Sequence, residues 1–180
     1  MKVGLLFGSF NPIHIGHVAI AKYMSEQTDL KQVWLIVSPH NPLKEKKSLA
    51  DAKKRLTHVK KAIGRNSKIK AGDIEFKFPE PSYTINTLSV LRKKYPKNKF
   101  VLVMGSDSLK FFHTWKEYKK ILKSHEFYIY PRGKSLLRND IKRISKYPNV
   151  TFFNAPLIDV SSTFIREQMK QGKDVKDLLA

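Results

Sequence analysis

The chain has 180 residues, 41% hydrophobic and 28% charged, which suits one buried core under a polar surface, so a single domain spanning 1–180 is expected. Cysteine is absent, which excludes disulfides and thiolate metal sites, and no stretch approaches the ~20 consecutive apolar residues of a membrane span, so a soluble, cytoplasmic protein is expected. Thirty-five Lys and Arg against 15 Asp and Glu give a formal charge of +20, which attracts nucleic acid and small anions such as nucleotides without choosing between them.

Lys2 to Phe7 is a short apolar run closed by Gly8, too short for a signal peptide and better read as a buried first strand. Gly16 to Met24 follows with Val18, Ile20, Ala21 and Met24 near helical spacing. Gln32 to Val37 is almost continuously apolar and rich in β-branched residues, as in a strand covered on both faces. After a loop containing Pro39, Pro42 and Lys44, Leu49 to Ile63 reads as a helix, and Lys68 to Phe78 alternates as a strand. Ser82 to Tyr95 is helical, with Pro96 ending it.

Phe100 to Met104 is the next buried strand, ending at Gly105-Ser106-Asp107. Thr114-Trp115-Lys116-Glu117 fits a capping box and predicts a helix running to about Leu122. Glu126 to Tyr130 is a strand, Leu136 to Lys146 a helix, Val150 to Phe153 a last short strand, and Ser161 to Lys170 a helix stopped by Gly172. Strands alternating with helices imply a parallel sheet with right-handed crossovers, hence a doubly wound, Rossmann-like α/β domain with helices on both faces. Basic pairs such as Lys53-Lys54, Lys60-Lys61, Lys93-Lys94 and Lys119-Lys120 read as solvated helix faces, which weighs against a nucleic-acid-binding stripe.

In such a fold ligands bind beyond the carboxyl ends of the strands, which draws attention to the first loop, Gly8-Ser9-Phe10-Asn11-Pro12-Ile13-His14-Ile15-Gly16-His17. Its glycines permit close approach of a phosphate to backbone N–H groups, and the helix starting near Gly16 points its positive end at the same spot. His14 and His17, three residues apart, both reach one side of the first helical turn and can donate to phosphate oxygens as charge shifts during transfer. Structural histidines and zinc ligation compete with this reading, although H-x-x-H here lacks a nearby Cys, Glu or third His. A general base is less needed where the attacking group is an ionised phosphate. Near the other end, Ser161-Ser162-Thr163-Phe164-Ile165-Arg166 sets hydroxyls one turn before a guanidinium, a second anion cradle or, by itself, an ordinary serine N-cap with a surface arginine.

The residues G-S-F-N-P-I-H-I-G-H at 8 to 17 and S-S-T-F-I-R at 161 to 166 together resemble the H-x-G-H and I-S-S-T-x-x-R signatures of the nucleotidyltransferase superfamily. Through Pro81-Ser82-Tyr83-Thr84-Ile85-Asn86-Thr87-Leu88, Gly105-Ser106-Asp107-Ser108-Leu109 and Thr114-Trp115, the middle of the chain is similar to the bacterial nicotinate-nucleotide adenylyltransferases. The resemblance implies attack of nicotinate mononucleotide on the α-phosphate of ATP, giving deamido-NAD and pyrophosphate, with Mg²⁺ on the ATP phosphates and no metal held by the protein alone. Carried over by motif, His14, His17, Ser161, Ser162 and Arg166 would hold ATP phosphates, Gly8, Ser9 and Phe10 would line the nucleotide, and Lys44 would lie near the reacting phosphates. Gly105 and Asp107 would meet ribose or adenine, and Tyr83, Thr84 and Trp115 the nicotinate nucleotide. Gly8-Ser9-Phe10-Asn11-Pro12 departs from the G-G-T-F-D-P of many bacterial members, and Ser38-Pro39-His40-Asn41-Pro42-Leu43-Lys44 from the usual P-P-H-K, which leaves open the acid or the amide as acceptor and the role of His40. Phosphopantetheine adenylyltransferase shares the histidines but lacks the P-S-Y-T segment and the Thr-Trp pair.

Overall fold

Four continuous apolar runs set the frame of the computed structural model, which describes residues 1–132, 142 and 144–180. They form strands β1 (Lys2–Gly8), β2 (Gln32–Val37), β4 (Lys99–Gly105) and β5 (Glu126–Tyr130), joined by β3 (Ile69–Gly72) and β6 (Val150–Phe152) in a six-stranded sheet of order β3-β2-β1-β4-β5-β6. Every neighbouring pair is parallel. The order reverses between β1 and β4, so the loops leaving these two strands diverge and open a crevice at their carboxyl ends. The chain also forms helices α1 (Ile15–Glu26), α2 (Ala52–Ile63), α3 (Thr84–Lys94), α4 (Leu109–Phe112), α5 (Tyr118–Ser124) and α6 (Ser162–Lys170), together with short 3₁₀ turns. No helix among the described residues is long and apolar enough to cross a membrane.

Period-two alternation along the strands divides the core. Leu6, Leu35, Val101, Val103 and Tyr130 pack on one face with Ile20, Ala21 and Met24 of α1 and Val59 of α2. Leu5, Ile36, Leu102, Met104, Phe127 and Ile129 pack on the other with Leu88 and Leu91 of α3, Leu109 and Phe112 of α4, and Ile121 and Leu122 of α5. The central strands are therefore apolar on both faces, as parallel strands covered by helices must be.

Three local expectations are corrected. The strand read over Lys68 to Phe78 ends at Gly72, and Ile74–Lys77 form a 3₁₀ turn. The alternation misleads because Glu75 turns inward: it is 1% exposed and accepts hydrogen bonds from Ser82 Oγ (2.6 Å) and Thr87 Oγ1 (2.7 Å). The capping box at Thr114 does not form; Thr114 Oγ1 donates back to the Phe111 carbonyl (2.7 Å), closing α4, and Glu117 takes a left-handed conformation (φ 53°) before α5. The helix read from Leu49 starts at Ala52, because Asp51 caps it by accepting the Lys54 N–H at 2.9 Å. The helix expected over Leu136 to Lys146 lies for the most part outside the described residues.

Candidate nucleotide-binding site

The first loop leaves β1 at Gly8 and turns sharply, with buried Phe10 at φ 45° and its ring under His17 (centroids 4.9 Å). His14 is the extended N-cap of α1 and His17 lies one turn along, their rings 3.8 Å apart. A Cβ on Gly16 would stand 3.0 Å from the His14 ring, so the close approach of that ring to the helix start favours glycine there. His14 is fully buried, and neither of its ring nitrogens, nor Ser9 Oγ, has a hydrogen-bond partner among the described residues. Burial, then the nearby Arg132 cation, pushes His14 down to about 4. Burial, then His14, Arg132 and Lys44, pulls His17 well below the usual histidine range. Both imidazoles are neutral at pH 7, so each offers one N–H donor.

Helix α6 brings the second motif onto this loop. Ser162 Oγ donates to the Pro12 carbonyl (3.0 Å), and Arg166 donates to the Asn11 carbonyl (2.8 Å) and to Thr163 Oγ1 (3.2 Å). Ser161 is the N-cap of α6, its Oγ accepting the Phe164 N–H at 3.1 Å. Ser162 and Arg166 therefore hold the two cradles together, Ser161 caps the helix that carries them, and Arg166 keeps further N–H groups for an anion. Residues beyond α6 also fold back here, and Leu179 pairs with His14 in an isolated antiparallel bridge.

Lys44 closes the loop after β2. His40 Nε2 is 3.1 Å from the Lys44 carbonyl, and Asn41 Oδ1 accepts the Leu43 N–H at 2.9 Å, so His40 and Asn41 shape the turn that carries the lysine. Desolvation, then the cations of Arg166, Arg55 and Arg132, lowers the Lys44 ammonium pKa. Lysine, three arginines and two neutral histidines thus act on one region, an arrangement whose mutual repulsion an anion would relieve.

Arg132, just past β5, was not singled out from the sequence. Its main-chain N–H donates to Ser106 Oγ (2.9 Å), whose hydroxyl donates back to the Arg132 carbonyl (3.0 Å). Its guanidinium donates to the Val160 carbonyl (2.8 Å) and lies 3.6 Å from the Asp107 carboxylate. A Cβ on Gly105 would fall 2.5 Å from Asp107 Oδ1, so the glycine leaves room for this pairing at the end of β4. The only sequence signal for Arg132 is its place, a cation directly after a parallel strand on the ligand-binding edge.

Tyr83 is the N-cap of α3 and Thr84 its first residue, both half-buried. The Lys116 ammonium lies over the Tyr83 ring (4.6 Å), which places the start of α3 beside the turn bearing Trp115. The Trp115 indole packs on Phe112 (5.4 Å) and is half-buried. Buried Glu75, also unforeseen, holds this corner through Ser82 and Thr87, and the Ser82 N–H donates to the His40 carbonyl at 3.2 Å. Among the described residues no group of three His, Cys, Asp or Glu is placed to hold a metal ion.

Residues 5–168 match the cytidylyltransferase-like family. A Flavobacterium johnsoniae protein named "Probable nicotinate-nucleotide adenylyltransferase" is 48% identical over 99% of this chain and 92% of its own length. The chain belongs to the nicotinate-nucleotide adenylyltransferase family. A Bacteroides fragilis member bearing the same name is 41% identical over 99% of this chain and 87% of its own length. The fold of this adenylyltransferase matches the Plasmodium falciparum nicotinic acid mononucleotide adenylyltransferase complexed with NaAD, with TM-score 0.83, 23% identity, and coverage of 98% of this chain and 87% of the other. The same Plasmodium falciparum enzyme complexed with APC superposes with TM-score 0.80.

Proposed function

We propose that the protein transfers the adenylyl group of ATP to nicotinate mononucleotide, forming deamido-NAD and pyrophosphate. The observation that carries the reading is the convergence of His14, His17, Lys44, Arg132 and Arg166 on the crevice beyond β1 and β4, within a chain of this family. A phosphate oxygen of the acceptor attacks the α-phosphorus of ATP, a new P–O bond forms, and the bond to the bridging α,β oxygen breaks with its electron pair leaving on pyrophosphate. The attacking phosphate is already ionised, so the protein supplies position and charge, and neutral histidines suit donation better than proton removal.

His14 and His17 donate to phosphate oxygens as charge moves toward the leaving group, and Lys44, Arg132 and Arg166 stabilise that charge. Gly8, Ser9 and Phe10 line the nucleotide, Gly105 and Asp107 its sugar or base, and Tyr83, Thr84 and Trp115 hold the pyridine nucleotide. A flat pyridine ring suits an indole, and the N-terminus of α3 suits its carboxylate. Mg²⁺ is proposed as the cofactor, carried on the triphosphate, where it would neutralise charge; the cation-rich donor set around His14 suits the phosphates rather than the metal.

Pyrophosphate release is measured with ATP, Mg²⁺ and each of three acceptors in turn. Turnover with nicotinate mononucleotide well above that with its amide or with phosphopantetheine is the expected result. Preference for another acceptor would replace the substrate and keep the chemistry, and no turnover with any would overturn the assignment.

A further inference from the structure

Arg55 lies in the first half of α2, directly after Lys53-Lys54, yet it is only 2% exposed. Its Nη1 donates to the carbonyls of Ser9 (2.6 Å) and Ser38 (2.8 Å), its Nη2 to that of Pro39 (2.6 Å) and its Nε to that of Ala50 (2.9 Å). These carbonyls belong to the first loop, the loop after β2 and the segment entering α2. Burying a guanidinium against main-chain oxygens is costly, since Asp51 and Glu80 act on its charge only from further away. That cost points to a task beyond packing.

The peptide units show what the task is. In a planar trans peptide the carbonyl and the next residue's N–H point in opposite directions. Holding the Ser9 and Pro39 oxygens against the guanidinium therefore turns the N–H groups of Phe10 and His40 away from it. Neither N–H donates to another group among the described residues. Phe10 itself occupies the left-handed region (φ 45°), disfavoured for a residue with a side chain. It is held from both sides, by Arg55 on the carbonyl before it and by Arg166 on the Asn11 carbonyl after it (2.8 Å).

We propose that Arg55 is a positioning residue for adenylyl transfer, joining the first phosphate loop to the Lys44 loop and aiming the Phe10 and His40 amides at the anionic substrate. The proposal rests on the function assigned above. Its charge also reaches Lys44, whose ammonium it helps to depress. A lysine keeps the charge but offers a single point of donors, which cannot span three loops as a planar fork does.

Arg55→Lys and Arg55→Ala are assayed at a temperature where circular dichroism shows each folded, with rates expressed per folded molecule. For Arg55→Lys, kcat should fall about 100-fold while KM for nicotinate mononucleotide stays within about threefold, and affinity for a non-hydrolysable ATP analogue should fall about tenfold. Millimolar methylguanidinium should restore Arg55→Ala activity several-fold and leave the wild type unchanged. A folded Arg55→Lys protein with kcat within about twofold of wild type would overturn the proposal, as would a rate loss that only tracks unfolding. If the wild type turns over no acceptor, the functional assignment fails separately. The ATP-analogue affinity then decides Arg55 alone, a drop supporting the proposal and an unchanged value overturning it.

Discussion

Replacing His14 by Asn tests whether the buried imidazole is held neutral. Its pKa is about 4 in the fold against 6.5 when exposed, so between those values the unfolded chain binds more protons than the folded one. Stability must then fall as pH drops from 6.5 toward 4. One-site linkage places the loss from His14 on the order of 2 kcal/mol between about pH 7 and about pH 4.5, approaching roughly 3 kcal/mol once the residue is protonated in both states. Urea unfolding of wild type and His14→Asn at both pH values isolates this contribution, because the other titrating groups are common to both proteins. The wild type should lose about 2 kcal/mol more than the variant over that interval. Parallel pH dependence in the two proteins would refute burial of a neutral imidazole, and with it the donor role of His14. Activity should correspondingly show no acid limb near pH 6.5, since His17 is displaced in the same direction.

Other perturbations separate the parts of the site. His17→Ala should lower kcat about 100-fold or more with little change in melting temperature, and unchanged turnover would remove His17 from the chemistry. Glu75→Gln leaves one acceptor oxygen for the two hydroxyls of Ser82 and Thr87, so KM for nicotinate mononucleotide should rise about tenfold while kcat stays within about threefold. Equal effects on ATP and acceptor kinetics would contradict that local role. Truncation after Lys173 removes the Leu179 pairing with His14 and buried Val175, and kcat should fall about tenfold on assays of folded protein. Full activity of the truncated protein would show the pairing to be incidental.

Local pattern carried much of this reading. Strands β1, β2, β4 and β5 are continuous apolar runs, and their ends fall within a residue of those expected. The two histidines stood out because their spacing at a helix start has a chemical reason, Arg166 because its segment pairs with that first loop, and Lys44 only through the family resemblance. Arg55, Glu75 and Arg132 were not legible, because what each does depends on partners distant in the chain. Arg55 stands in a basic run like any solvated helix face, and only the folded loops present it with four carbonyls. Glu75 looked like the polar phase of a strand until Ser82 and Thr87 drew it inside. Thr114 satisfied a capping pattern that the left-handed Glu117 prevents.

The most direct test of adenylyl transfer follows the phosphorus atoms of ATP. With ATP labelled at the α-phosphorus and nicotinate mononucleotide as acceptor, the label should appear in deamido-NAD, and label placed at the γ-phosphorus should appear in pyrophosphate. Label from the γ-position in orthophosphate or on the acceptor, with none from the α-position in a dinucleotide, would contradict the account.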